Sequence, residues 1–340
     1  MISKAPFRPW GELGWALGVS DPRRWRFLGS VAAEERSISA LTALERLDAL
    51  ESVELLRIID TEPEDSEKEE AAIQERLAEC SAAGCTIQPV TASLDAPLQN
   101  AEWKQKLSFG GETSVCLDVS SLPKRFFFSA IKAALNSTSV QDFLIIYTKP
   151  ACYPDGPLSG NPRDWTTITG FGCVDPDNQS QATSKLIVGA GFAVGGLHEH
   201  LEGRRGTQME VDVLIPFPAV PWASVSRAWD SAREIEEALG ADPDKGLSEI
   251  KPSHHRVGAL DTSTAFERLR SLTDSGTRHA ALAPLGPKPI SVAMCLLAAQ
   301  TDLHPVYYAQ PRTYALNYSS GSETTFAYWI KHRGENLYSL

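Results

Sequence analysis

Short β-like runs alternate with segments of helical spacing along most of the chain, and this alternation restricts the fold more than any other feature. In the first half RFLGS (Arg26–Ser30), ESVELLRIID (Glu51–Asp60), CTIQPVTA (Cys85–Ala92), TSVCLDVSS (Thr113–Ser121) and DFLIIYTKP (Asp142–Pro150) are short and rich in β-formers. Between them, Ile38, Leu41, Leu44 and Leu47 recur at helical spacing, and Thr61–Cys80 passes from a charged loop into a helix. SLPKRFFFSAIKAAL (Ser121–Leu135) is a further helix, with Ser120 or Ser121 as N-cap and Pro123 in its first turn. Strands that alternate with helices predict a parallel sheet covered on both faces, an α/β fold.

The pattern starts again in the second half. KLIVGAGF (Lys185–Phe192), MEVDVLIPFP (Met209–Pro218), HRVGALD (His255–Asp261), RHAALAPLG (Arg278–Gly286) and LHPVYYAQP (Leu303–Pro311) read as strands. Val225–Gly240, Thr262–Leu272 and Pro287–Ala299 read as helices, the second capped by Thr262 or Ser263. Three landmarks keep their order and spacing between the halves. A first-strand glycine (Gly29, Gly189), a Pro-Lys helix start (Pro123, Pro287) and a Tyr-x-x-Pro-x-x-Tyr stretch (Pro150, Pro311) are offset by 160, 164 and 161 residues. Self-similarity at a fixed offset marks repeated units. The expectation is two tandem Rossmann-like units with mainly parallel sheets, related by internal duplication. They span residues 25–153 and 184–314, with an N-terminal arm (1–24), a linker rich in Gly, Pro, Asn and Asp (154–183) and a C-terminal extension (315–340).

A chain of 340 residues accommodates two such cores. Its net charge of −11 argues against general DNA binding. It contains no apolar run of about 18 residues, so no membrane span is expected. The N-terminus lacks the apolar stretch of a signal peptide, and the six cysteines include no C-x-x-C pair, so a cytoplasmic protein is expected.

Ligands of open α/β sheets bind beyond the carboxyl ends of the strands. In the first half this points to Ser30, Glu35 and Arg36 after the first strand, and to Asp118, Ser120, Ser121, Lys124 and Arg125 after the fourth. Hydroxyls and two cations at a helix N-terminus suit an anion, which would offset the unfavourable meeting of cations and dipole. Glu35 and Asp118 are the candidate catalytic carboxylates, as general base or ribose ligand. In the second half the corresponding positions are Gly191, Gly286 and Lys288, and Tyr147 and Tyr308 are candidates to stack a base. The glycines at 189, 191, 195 and 196 miss the dinucleotide spacing by one residue, so no cofactor is expected. His198 and His200 face one side of a strand without an evident third ligand, and His254-His255 reads as a loop pair, so no metal is expected.

APLGPKPISVAMCLLAA (Ala283–Ala299) resembles the strand–Gly–x–Lys–helix element of CARF domains, the Rossmann-fold sensors associated with CRISPR systems. The matching residues are Gly286, Pro287 and Lys288, with proline in place of the family's threonine, which removes a hydroxyl and a backbone N–H. With the duplication, the chain resembles SAVED-type sensors, which look like two fused CARF-like units, over residues 25–314. The resemblance implies a nucleotide or oligonucleotide second messenger bound between two halves, and a role in bacterial anti-phage defence. With short segments left at either end, a sensor of this kind is expected to need a protein partner as effector. Two other functions fit the same residues: a hydrolase of a phosphodiester or N-glycosidic bond, and a non-catalytic interaction subunit of a complex.

Overall fold

The structure, a computed structural model, describes all residues except 1–6, 20–22, 61–64, 83–88, 95–100, 112, 157, 173–184, 192–196, 198–208, 220–224 and 241–249. The chain divides into two compact units, Met1–Asn161 with Arg312–Ser339, and Pro162–Pro311 with Leu340. The first unit begins with β1 (Trp10–Glu12) and α1 (Leu13–Leu17), followed by β2 (Trp25–Val31), α2 (Ser39–Arg46), β3 (Leu50–Ile59) and α3 (Ser66–Ala82). It continues with β4 (Val90–Ser93), α4 (Ala101–Lys106), β5 (Thr113–Asp118), α5 (Lys124–Asn136), β6 (Val140–Cys152) and β7 (Ser159–Pro162). The second unit holds β8 (Thr166–Thr167), β9 (Lys185–Gly189), β10 (Glu210–Pro216), α6 (Val225–Leu239), β11 (Ser253–Val257), α7 (Thr262–Leu272), β12 (Ala281–Pro284), α8 (Lys288–Ala298) and β13 (Tyr307–Tyr308). β14 (Pro311–Tyr314), β15 (Ser320–His332) and β16 (Glu335–Asn336) bring the chain back to the first unit.

The large sheet of the first unit runs β1-β15-β6-β5-β2-β3-β4. β6, β5, β2, β3 and β4 are parallel, and β15 and β1 add to the β6 side as antiparallel strands. Alternation along each strand sends Trp25, Phe27, Val31, Leu55, Cys116, Leu144, Ile146 and Trp329 to one face, where they pack with residues of α1, α2 and α3. Leu28, Leu117 and Ile145 point the other way and are equally buried, as is the apolar stripe Phe127, Ile131 and Ala134 of α5. Both faces are therefore covered, as buried parallel strands require.

The second unit has its own parallel sheet, β11-β10-β9-β12. Val306 makes a single parallel bridge to Leu282, which places a fifth strand position beyond β12. Counting the parallel strands of each unit in chain order, both sheets read 3-2-1-4-5.

Several expectations shift. Residues 1–24 were expected as an irregular arm, yet β1 extends the sheet, Trp10 stacks on Tyr328 and the Trp329 indole donates to the Ala16 carbonyl at 2.9 Å. The 315–340 extension supplies β15, which lies between β1 and β6. The run expected as a strand over Asp142–Pro150 is longer: β6 passes through Pro150 and continues to Cys152. It can, because β5 pairs with β6 only as far as Ile146, while Pro150 sits opposite Ser322 of β15, so proline's missing N–H costs no parallel-ladder bond. The expected closing strand Leu303–Pro311 is broken: after the bridge at Val306, Tyr307 and Tyr308 pair antiparallel with Thr167 and Thr166. His254 and His255 lie on β11 rather than in a loop. Among the described residues, no helix is long and apolar enough to cross a membrane.

Candidate functional site

In the first unit, β2 leads outward to β3 and β4, whereas β5 leads to β6 on the opposite side. Crossovers in opposite directions put their helices on opposite faces and open a crevice at the carboxyl ends of the adjacent strands β2 and β5. Ser30, Asp118, Ser120 and Ser121 meet here. Ser121 Oγ donates to the Ser30 carbonyl at 3.0 Å, so its contact with Ser30 Oγ at 2.8 Å has the Ser30 hydroxyl as donor. Asp118 is buried and accepts from the Ser120 N–H at 2.8 Å and from the Ser120 hydroxyl. The Thr148 N–H in turn donates to Ser120 Oγ at 2.7 Å. One chain of hydrogen bonds thus ties the ends of β5 and β6, with Asp118 closing its own turn.

α5 begins immediately afterwards, with Pro123 at the N-cap and no side-chain cap, so neither Ser120 nor Ser121 plays the capping role expected. Lys124 and Arg125, both half-buried, occupy the first turn, where the dipole disfavours them. Burial pushes the Lys124 ammonium down to about 7.

Of the two glutamates after β2, Glu35 is exposed and Glu34 turns inward. Arg36 is only 2% exposed. Its Nε donates to Glu34 Oε2 at 2.8 Å, and its Nη1 reaches the Thr148 carbonyl at 3.4 Å. The guanidinium carbon lies 6.0 Å from the Tyr147 ring centre and 5.9 Å from that of Tyr318. Burial works against this charge, but Glu34, Tyr153 and Tyr147 outweigh it and hold the guanidinium well above its ordinary range. Burial also raises the Tyr153 phenol, whose ring meets Tyr318 edge-on at 6.1 Å.

Tyr318 and Ser319 reach this edge because β15 is antiparallel, so its beginning lies where the parallel strands end. The Ser319 hydroxyl donates to Glu34, 285 residues away in sequence. The Tyr314 N–H donates to Asp60, just past β3, at 2.7 Å. Burial raises the Asp60 carboxyl and this N–H partly offsets the effect. Asp60, Thr148, Tyr318 and Ser319 were not among the expected residues. No local motif marks them, because their association depends on a strand arriving from the far end of the chain.

The candidates of the second unit occupy a different setting. A Cβ at Gly191 would lie 2.0 Å from the Leu285 carbonyl oxygen, and one at Gly286 would lie 2.7 Å from that of Ala190. Here the two glycines let backbones touch across the ends of β9 and β12. Lys288 opens α8 behind Pro287, as Lys124 opens α5 behind Pro123. Tyr308 is buried and pairs with Thr166. At the opposite, amino edge of this sheet, Lys185 pairs with Asp212 at 2.7 Å and His255 Nε2 lies 2.6 Å from the same carboxylate. His198 and His200 lie outside the described residues. Among those described, no cluster of three His, Cys, Asp or Glu side chains suits a metal ion.

No protein-family model matches the chain, and no curated protein matches it.

Proposed function

We propose that the protein is a sensor of a nucleotide-type anion, binding it at the carboxyl edge of the first unit and passing the signal to a protein partner. We further propose that the two units are Rossmann-like and arose by duplication, and that the protein serves bacterial anti-phage defence. The observation that carries the binding proposal is the polar cluster at the crevice between β2 and β5, where Ser30 and Ser121 meet beside a helix opening with Lys124 and Arg125. Backbone N–H groups at such a helix start, hydroxyls and cations are the groups that phosphates select. Duplication is supported by the shared 3-2-1-4-5 order and by a Pro-Lys start after the fourth strand of each unit. The resemblance around Gly286–Lys288 supports the defence role. Exposure of Glu35 and the engagement of Asp118 by Ser120 favour binding over hydrolysis.

Calorimetry and thermal shift against mononucleotides and linear and cyclic oligonucleotides test this. The expected result is stabilisation by at least one member, weakened about tenfold in Lys124→Gln, as befits a charge-assisted contact, with the ligand recovered intact. Consumption of the ligand that stops in Asp118→Asn would establish the hydrolase instead.

A further inference from the structure

The segment Arg312–Ser319 carries the chain back into the first unit and is fastened to the carboxyl edge of its sheet. The Tyr314 N–H donates to Asp60, the Tyr318 ring faces Arg36, and the Ser319 hydroxyl donates to Glu34. Glu34 Oε2 serves two donors at once, Arg36 Nε and Ser319 Oγ. A single carboxylate oxygen therefore joins the buried guanidinium to the returning segment. The pairing also uses little of the guanidinium's capacity. Arg36 has five N–H donors, yet Glu34 takes one of them, and the contact to the Thr148 carbonyl is long at 3.4 Å. A phosphate-type anion engages the guanidinium fork with two parallel hydrogen bonds and outcompetes a single-point carboxylate. Bound there, it repels the Glu34 carboxylate across the shared guanidinium and so weakens the Arg36–Glu34 pair.

We propose that Glu34 is a built-in stand-in for the ligand's anionic group, and that an anion taking Arg36 displaces Glu34 and unfastens Arg312–Ser319 from the sheet edge. Tyr147 and Tyr318, whose ring centres lie 6.0 and 5.9 Å from the guanidinium carbon, then lie close to the bound group. The inference rests on the proposed nucleotide-type ligand and assigns its regulatory consequence: binding is converted into release of the segment through which the chain re-enters the first unit.

The test uses the full-length protein and pyrophosphate as probe, with peptide-level hydrogen exchange and calorimetry. Saturating pyrophosphate is expected to speed exchange at Tyr314, Ala315 and Tyr318 severalfold. Glu34→Gln is expected to bind pyrophosphate at least tenfold more tightly and to exchange rapidly in this segment without it. Arg36→Lys is expected to lose binding. Ser319→Ala keeps the Arg36–Glu34 pair and should exchange faster in the same segment, so the link can be read even if Glu34→Gln does not fold. Unchanged exchange at saturation, or equal affinity of the Gln variant and wild type, overturns the displacement. If nucleotides bind without altering exchange, the sensor proposal stands and this one fails; if neither pyrophosphate nor any nucleotide binds wild type or variant, both fail.

Discussion

At the level of single residues, the half-buried Lys124 and the buried His304 carry predictable pH signatures. Burial lowers Lys124 from 10.5 to about 7. Between those values the unfolded chain holds a proton that the folded protein does not, so the penalty is full below about pH 7 and fades as pH rises towards 10.5. Lys124→Met should therefore raise stability at pH 7 and raise it less at pH 10, as measured by urea denaturation of variant and wild type in parallel. His304 is buried in the second unit, and burial lowers it from 6.5 to about 4, with nearby His279 adding to the effect. Backbone groups of Ala280 and Gly276 lie near the ring and partly oppose the shift, without meeting hydrogen-bond geometry. The neutral form is the folded one, so stability is intact above pH 6.5 and is lost as pH falls towards 4, by about 3 kcal/mol in all. His304→Asn should flatten that acid limb in denaturation curves at pH 4.5 and 7. Residue roles were only partly legible in the sequence. The spacing that pointed to Ser30, Ser121 and Lys124 follows from the strand–helix order, but the choice of Glu34 over Glu35 depends on which way the short helical turn Glu35–Ser37 faces, and neighbouring glutamates look alike in a sequence.

At the level of elements, periodicity was a good guide to type and a weaker one to ends. The Pro-Lys starts of α5 and α8 and the helical spacing of α2 agree with the structure. The cap of α7 does not lie at Thr262 or Ser263: Asp261 holds that position and accepts from the Thr264 N–H at 2.9 Å. Asp261→Ala should cost about 1 kcal/mol, the usual worth of such a cap, seen as a lowered thermal midpoint for the second unit, whereas Asp261→Asn should cost less. The segment after Tyr314 is rich in β-formers, TTFAYWI, but its strand character does not say which sheet it joins. Partner choice comes from long-range pairing: Phe326 opposite Tyr147, Ala327 opposite Ile146 and Tyr328 opposite Ile145.

At the level of the whole molecule, the second unit is an insertion in the first. The chain leaves at Asn161 and returns at Arg312, and the strands at the two crossings, β7 and β14, are hydrogen-bonded neighbours. Neighbouring ends need only a short loop to be joined. Deleting residues 163–310 and bridging the gap with a few glycines should leave a first unit that melts cooperatively with α/β circular dichroism. Deleting 315–340 instead should abolish that transition, because it removes β15 and leaves the edges of β6 and β1 that it joins unpaired. Loss of folding in the first variant alone would refute the insertion. The sequence by itself determined the α/β class, the repetition of strand–helix order and the strand ends at which to look, since these depend on local periodicity and the geometry of parallel sheets. Only the tertiary structure decided that the last strand returns to the first sheet and that Arg36 is held by Glu34 and Tyr318. Pairing between segments almost 300 residues apart leaves no local pattern to read.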